Sequence, residues 1–396
     1  MKALALVLAG GEGNRLGVLT DNRAKPAMPF AGVYRLIDFP MSNCLHSGLA
    51  DVWIAQQYQP HSLNDHISNG RPWDLDKTYG GLRLLPPHQG GKEGGWHQGN
   101  ADAIFRNRSF IAAADPDVLI VLSADHVYKL DYSSVVSHHL ERGAAATLVT
   151  TKVPLEEASN FGTVEADGDG NVTDFEYKPD SPRFDLVTTE VFVFSTEKLL
   201  ADLEDLAGED EDEPLEDFGD ELLSRMVSDG AVVEYRLDGY WRDLGQISSY
   251  WSAHMDLFSE RPPLDLDDPD WPVLTLGAQR PPAHVHEKAR NANSLLSPGC
   301  VVRGEIRCSV IGPGVVVEEG AVVNHSVVLD EVRISAGATV DHAIIDAGAR
   351  IGERASVGTS SRASKVGDED IAVVGGDCDV EAGATVGAGE QLPGSE

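Results

Sequence analysis

A chain of 396 residues exceeds one ordinary hydrophobic core, so two domains are expected. A formal net charge of −33, from 64 acidic against 31 basic side chains, argues against nucleic acid or an anionic membrane surface as partner. Apolar content of 42% and a mean hydropathy of −0.19 fit a soluble globular class, and no apolar run approaches the roughly twenty residues of a membrane span. Cys44, Cys300, Cys308 and Cys378 show no C-x-x-C pairing, which supports neither a zinc site nor a disulfide framework.

The chain opens with Met1-Lys2 and passes directly into a strand-like run, without the small-residue cleavage site of a signal peptide, so a cytoplasmic location is expected. Leu4 to Ala9 read as a strand buried on both faces. Gly10, Gly11 and Gly13 follow, where the backbone must turn sharply or admit something close. Arg15, Arg23 and Lys25 then bring cations into an otherwise acidic chain, and a polyphosphate is the natural guest. The stretch is not a Walker A loop, and Leu16 stands where G-x-G-x-x-G needs its third glycine. A tight strand-to-helix turn with solvated bases explains this segment equally well on its own.

Buried strands are predicted at Val52 to Ala55, Val118 to Leu122, Ala145 to Val149 and Val191 to Phe194, alternating with helical stretches. The acidic run Glu209 to Glu213 reads as a loop, and Glu260 to Trp271, continuing to Pro281-Pro282, as a linker. Apolar positions then recur every five or six residues at Ile311, Val317, Val323, Leu329, Ile334, Val340, Ile345, Ile351 and Val357. That period is neither helical nor alternating, and it marks a β-solenoid. The expected division is a catalytic domain over residues 1–258, a linker over 259–288, a β-helix over 289–389 and a disordered tail over 390–396.

Local motifs accumulate along this frame: LAGGEGNRL, RAKPAMPFAGVYRLIDFPMSNCLHSG, QYQPHSLNDHI, WHQGNADAIFRN, VLSADHVYKLDY, EEASNFGTVEADGDGNVTDFEYKP and YWRDLGQISSYWSAHMDL. In this order, with a hexapeptide C-terminal region, they resemble the glucose-1-phosphate adenylyltransferase (ADP-glucose pyrophosphorylase) family over nearly the whole chain. The resemblance implies an α/β nucleotidyltransferase-type domain with a mostly parallel sheet and flanking helices, plus a left-handed parallel β-helix. It implies adenylyl transfer from ATP to glucose 1-phosphate for glycogen synthesis, Mg²⁺ as cofactor, and a homotetramer.

By the same resemblance, the backbone from Gly10 to Gly13 cradles the triphosphate, with Leu8 and Ala9 leading into it and Arg15 and Lys25 on its phosphates. Asp125 and Asp243 match the metal-holding carboxylates, and Lys178 matches the lysine on the sugar phosphate. Gln57 and Gly99 frame the base, while Gly162, Tyr177, Thr188 and Glu190 fall on the sugar side. Arg23 and Arg35 are candidates for a sugar-phosphate effector site or are surface ion pairs. His46, His66 and His126 are given no catalytic role. Read alone, an aspartate at a strand end is equally a turn or cap residue, and Asp102 is the nearest rival carboxylate.

The chain also departs from the family. Tyr177 stands for a glutamate, Thr188-Thr189-Glu190 for Ser-Met-Gly, Ala124 for glycine and Asn100 for threonine. Phosphate and metal positions are intact while the sugar side is altered. A nucleotidyltransferase for another sugar 1-phosphate, such as glucosamine 1-phosphate, and a non-catalytic regulatory subunit are therefore the alternatives. An acyltransferase is disfavoured because the coils carry no acceptor-activating histidine pattern.

Overall fold

Residues 3–9, ALALVLA, form a strand whose two faces are both apolar. In the computed structural model, which describes residues 1–11, 13–86, 99–208, 215, 217–219, 221–359 and 366–394, this strand lies inside a nine-stranded sheet. We label β1 (Ala3–Ala9), β2 (Asp51–Gln56), β3 (Gly81–Leu85), β4 (Val118–Ser123), β5 (His126–Tyr128) and β6 (Ala146–Lys152). The later strands are β7 (Gly162–Ala166), β8 (Val172–Tyr177), β9 (Leu186–Ser195), β10 (Val232–Arg236) and β11 (Trp241–Asp243).

The sheet runs β8-β7-β9-β4-β1-β2-β3, with β6 also paired to β9 and β10 to β6. Strands β4, β1, β2 and β3 are mutually parallel, whereas β9 enters antiparallel to β4. Alternate residues of β1 feed two cores, Ala5, Val7 and Ala9 on one face, Leu4 and Leu6 on the other. A strand covered on both sides by helices must be apolar at every position, which is why it reads as an unbroken run.

C-terminal to the sheet, eighteen short strands stack into three parallel six-stranded sheets, a β-helix. Val317, Val323, Ile334, Val340, Ile345, Ile351 and Val357 point into its core as the period predicts. Leu329 does not; Val328 takes the inward place, and Leu329 faces the first unit. The first coil starts at His284–Val285, within the segment expected to be linker. Its residues are exposed, so an edge coil carries no apolar period to read. The tail from residue 390 is likewise not disordered through residue 394, since Gln391–Leu392 closes the third sheet against Val373 and Val374. The acidic run at Glu209 to Glu213, and residues 395–396, lie outside the described residues.

The outer side of the third sheet is apolar too. Val310, Val327, Leu329, Ile344 and Val373 pack against Leu16, Leu19, Met28, Phe30, Tyr250 and Trp251, so the two units share one core. The connecting segment is strapped down rather than loose: Trp271 Nε1 donates to Asn43 Oδ1 at 2.9 Å, and Leu264 and Val273 are buried. No described helix is long and apolar enough to cross a membrane.

His254, from the helix Ile247–Asp256, is fully buried in the shared core. Its Nε2 accepts from the Ala31 N–H at 3.2 Å while Nδ1 donates to the Tyr250 carbonyl at 2.8 Å, an assignment made from these partners. Only the neutral ring satisfies both, and burial pulls the group down to about 4. The unfolded chain protonates this ring near pH 6.5, so stability is whole above that value and declines as pH falls towards 4. Denaturant titration should show His254 accounting for about 2 kcal/mol of loss between pH 7 and pH 5. A His254→Phe variant whose stability falls just as steeply over that range would contradict this.

Candidate active site

Parallel strands β1, β2 and β4 end side by side at Ala9, Gln56 and Ser123. Ligands of open α/β sheets gather outside such carboxyl ends. A cavity of about 350 Å³ opens there, and Leu8, Ala9, Gly10, Gly11, Lys25, Gln57, Gly99, Asp125 and Glu190 all line it. A Cβ on Gly11 would meet nothing within 4 Å, so its bare backbone faces open space. Gly13 is glycine for a different reason, with φ at 76° as the chain turns into the 3-10 segment Asn14–Thr20.

Five ionisable side chains meet at one wall. Lys25 Nζ bonds to Asp125 Oδ2 and lies 3.6 Å from Asp243 Oδ1. The short ladder β5/β11 sets His126 opposite Asp243, and His126 Nε2 stands 3.5 Å from both Asp125 Oδ1 and Asp243 Oδ1. Glu190 Oε2 lies 3.9 Å from the same nitrogen. Burial would raise the Asp125 carboxyl, but Lys25 and His126 hold it well below the usual carboxylate range. Burial likewise opposes the His126 cation, yet Asp125, Glu190 and Asp243 together lift it to about 9. Asp243 is lowered against its own burial by His126 and Lys25. Glu190, by contrast, is pushed up, by burial first and by its neighbouring carboxylates, with His126 opposing. Charges this close persist only as a matched set.

Two carboxylates sharing one ammonium are a hard oxygen donor pair at the mouth of a glycine-lined cleft. That set fits a hard divalent ion, which carboxylates and substrate phosphates would share. One ligand atom each of Asp125, His126 and Glu190 also lies within 4.8 Å of the others.

Arg15 is exposed and flanks this wall, since a Cβ on Gly245 would sit 3.1 Å from its Nη2 and 3.0 Å from Asp243 Oδ2. Gly162, Tyr177, Lys178 and Thr188 line a neighbouring part of the sheet rather than this cavity. Gly162 pairs with Tyr177 across β7/β8. Tyr177 donates to Asp217 Oδ2 at 2.6 Å and accepts from Lys178 Nζ at 2.7 Å. Glu176 is turned away onto Arg183.

Three features escaped the sequence reading. His126, set aside as a plain neighbour, is the hub of the carboxylate cluster. Asp217 reaches the cleft from a distant loop, held by the Asn100 N–H at 3.1 Å. Glu190, placed on the sugar side, turns instead towards Asp125 and His126, because β9 shifts register between Thr188 and Phe192 and Glu190 takes a φ of 55°. The residue pair Asp125-His126, where a short strand begins at His126, was the available signal.

Residues 4–260 match the family model described as nucleotidyl transferase, and residues 281–374 match GlmU-like C-terminal hexapeptide. Fold and site thus define a nucleotidyltransferase with a β-helix attached, and enzymes of this kind generally use a divalent metal. The chain is 45% identical over 324 residues to the glucose-1-phosphate adenylyltransferase of Thermotoga neapolitana, covering 81% of this chain and 76% of that protein. It is 38% identical over 393 residues to that of Fervidobacterium nodosum, covering 97% and 93%, and 41% identical over 325 residues to that of Clostridium beijerinckii, covering 82% and 84%. The chain belongs to the glucose-1-phosphate adenylyltransferase family.

A Cβ on Gly162 would fall 2.9 Å from Phe175 Cε2 and 3.1 Å from Thr188 Oγ1. Gly162→Ala should therefore cost about 1–3 kcal/mol by overpacking, measurable in denaturant titration. A variant as stable as wild type would show that the β7/β8 hairpin yields freely.

Proposed function

We propose that this chain transfers the adenylyl group of ATP to glucose 1-phosphate, releasing pyrophosphate and giving ADP-glucose for α-glucan synthesis. The observation that carries this is the convergence of Asp125, Asp243 and Lys25 at the strand ends beside a glycine-lined cleft. A phosphate oxygen of the sugar attacks the α-phosphorus, the new P–O bond forms, and the bond to the β-phosphate oxygen breaks in line. Such a reaction needs positioning and charge neutralisation rather than a protein nucleophile.

Mg²⁺ is the ion we assign, with Asp125 and Asp243 to hold it; when bound it supplies positive charge to the triphosphate. Lys25 keeps the two carboxylates together and presents its ammonium to the phosphates, and Arg15 adds charge at the mouth. Gly10 and Gly11 let phosphates approach bare backbone. Gln57 and Gly99 frame the base, and Gly162, Tyr177, Lys178 and Thr188 shape the sugar side. The Glu190 carboxylate is matched by the His126 cation, which favours a neutral glucose ring over an amino sugar. Retention of Arg15, Lys25, Asp125, Lys178 and Asp243 favours an enzyme over a regulatory subunit.

An effector site is proposed between the units. A second cavity there is lined by Arg23, Arg35 and Arg280. Each guanidinium is paired with a carboxylate of the β-helix, Asp346 at 2.7 Å, Asp330 at 3.1 Å and Glu331 at 2.5 Å. A phosphorylated sugar would compete with those carboxylates for the arginines. We further propose a homotetramer assembled through the β-helix, whose first coil exposes Val285 and Leu295, and a cytoplasmic location.

Asp125→Asn removes one carboxylate charge and should lower kcat by about two to three orders of magnitude in a pyrophosphate-release assay. Near-normal turnover, or turnover without any divalent ion, refutes the assignment. Arg23→Ala and Arg35→Ala should abolish the response to sugar phosphates while leaving basal kcat/KM largely intact. An undiminished response would remove the effector from this cavity.

A further inference from the structure

The corner between the second and third faces of the β-helix holds a column of side chains that the reaction does not use. Asn293, Cys308, His325 and His342 occupy equivalent corner positions on successive coils, with φ of 47°, 45°, 41° and 51°. Their backbone amides climb in register, Cys308 N–H to the Ala292 carbonyl, His325 to Arg307 and His342 to Asn324. The corner itself asks only for a residue that tolerates positive φ, for which asparagine suffices. Two histidines on consecutive coils are more than the turn requires. Their rings stack with centroids 5.1 Å apart and planes 28° from parallel.

The surroundings are those of a built polar site. His342 is buried and its Nδ1 pairs with Asp341 Oδ1 at 2.6 Å, an oxygen that also accepts from Asn324 Nδ2 at 3.1 Å. Trp251 of the catalytic unit covers the other side of His342, 5.4 Å between centroids at 25°, and donates Nε1 to the His325 carbonyl at 2.8 Å. His325 Nδ1 is buried and has no hydrogen-bond partner among the described residues. A buried ring nitrogen left without a partner is costly. One ligand atom each of His325, Asp341 and His342 lies within 4.8 Å of the other two.

We propose that His325, Asp341 and His342 form a second metal site, separate from the reaction centre, that takes a single borderline divalent cation of the Zn²⁺ type. Two imidazoles and a carboxylate suit Zn²⁺, Co²⁺ or Ni²⁺, whereas Mg²⁺ prefers oxygen ligands and water. With Zn–N bonds of about 2.0–2.1 Å, tetrahedral ligand atoms sit about 3.4 Å apart. Atoms now within 4.8 Å of one another close by at most about 1.5 Å, and His342 Nδ1 and Asp341 Oδ1, at 2.6 Å, exchange their hydrogen bond for the ion. Water completes the coordination. His325 Nδ1, buried and without a hydrogen-bond partner among the described residues, is the ring atom placed to take an ion. Asn324 orients Asp341, and Trp251 orients His342, the outer contacts that metal-ligating side chains need. Because Trp251 belongs to the helix Ile247–Asp256, the ion would pin the β-helix corner to the catalytic unit.

The test is a Zn²⁺ titration of the metal-stripped full chain in excess Mg²⁺, with binding stoichiometry, the visible spectrum of the Co²⁺-loaded protein and Tm as readouts. Asparagine already occupies this corner at Asn293, so His325→Asn and His342→Asn keep the backbone. The pair His284, exposed, and His286, half-buried, whose rings stack at 4.3 Å, provides the control His284→Ala/His286→Ala. The expected result is one Zn²⁺ per chain with a rise in Tm and a tetrahedral Co²⁺ spectrum, all lost in both His→Asn variants and kept in the control. Wild type that binds no Zn²⁺, His→Asn variants that bind as wild type, or loss confined to the His284/His286 control, would each overturn the site. Circular dichroism and turnover at wild-type level in the His→Asn variants exclude misfolding as the cause of any loss.

Discussion

Lys25 is the interaction on which the catalytic half depends. Its ammonium is bonded to Asp125 and lies close to Asp243, which reach it from well-separated parts of the sequence and meet because β5 and β11 pair. Without that cation, and without His126 beside it, two half-buried carboxylates would face each other in a poorly solvated cleft. Removing one member of such a set typically costs about 3–5 kcal/mol. The same cluster places negative charge where a polyphosphate must arrive, so a cation is required on chemical grounds as well as structural ones.

The glycine turn works with this cluster rather than beside it. Gly13 turns the chain at positive φ so that Lys25 comes back over the end of β1, and a Cβ there would press on Thr20 at 3.1 Å. Gly10 and Gly11 leave the cleft floor bare. Bare backbone and paired charges thus face the same cavity from two sides.

A second dependence joins the halves. The β-helix is apolar inside, as any solenoid must be, but its third sheet is apolar outside as well and shares a core with Phe30, Tyr250 and Trp251. Over that core lie Arg23, Arg35 and Arg280, each matched by a β-helix carboxylate. Apolar packing holds the units in place, and these charged pairs sit at its rim.

Much was legible from sequence because it repeats or is continuous. The apolar runs at Leu4, Val52 and Val118 are strands, since a strand buried on both faces has no polar position to interrupt it. The five- to six-residue period showed the solenoid, since every coil must point an apolar residue inward. The glycine turn and its nearby bases stood out against a chain of net charge −33. What tertiary structure alone decided are the meetings between distant residues and the directions of single side chains. Nothing local to His126 says that Asp243 will be its cross-strand partner, nothing near Leu329 says it faces another unit, and nothing in Thr188-Thr189-Glu190 says that a register shift swings the carboxylate to Asp125. Local pattern encodes burial and backbone shape, whereas the pairing of charges across the fold depends on sheet register, which only the assembled chain sets.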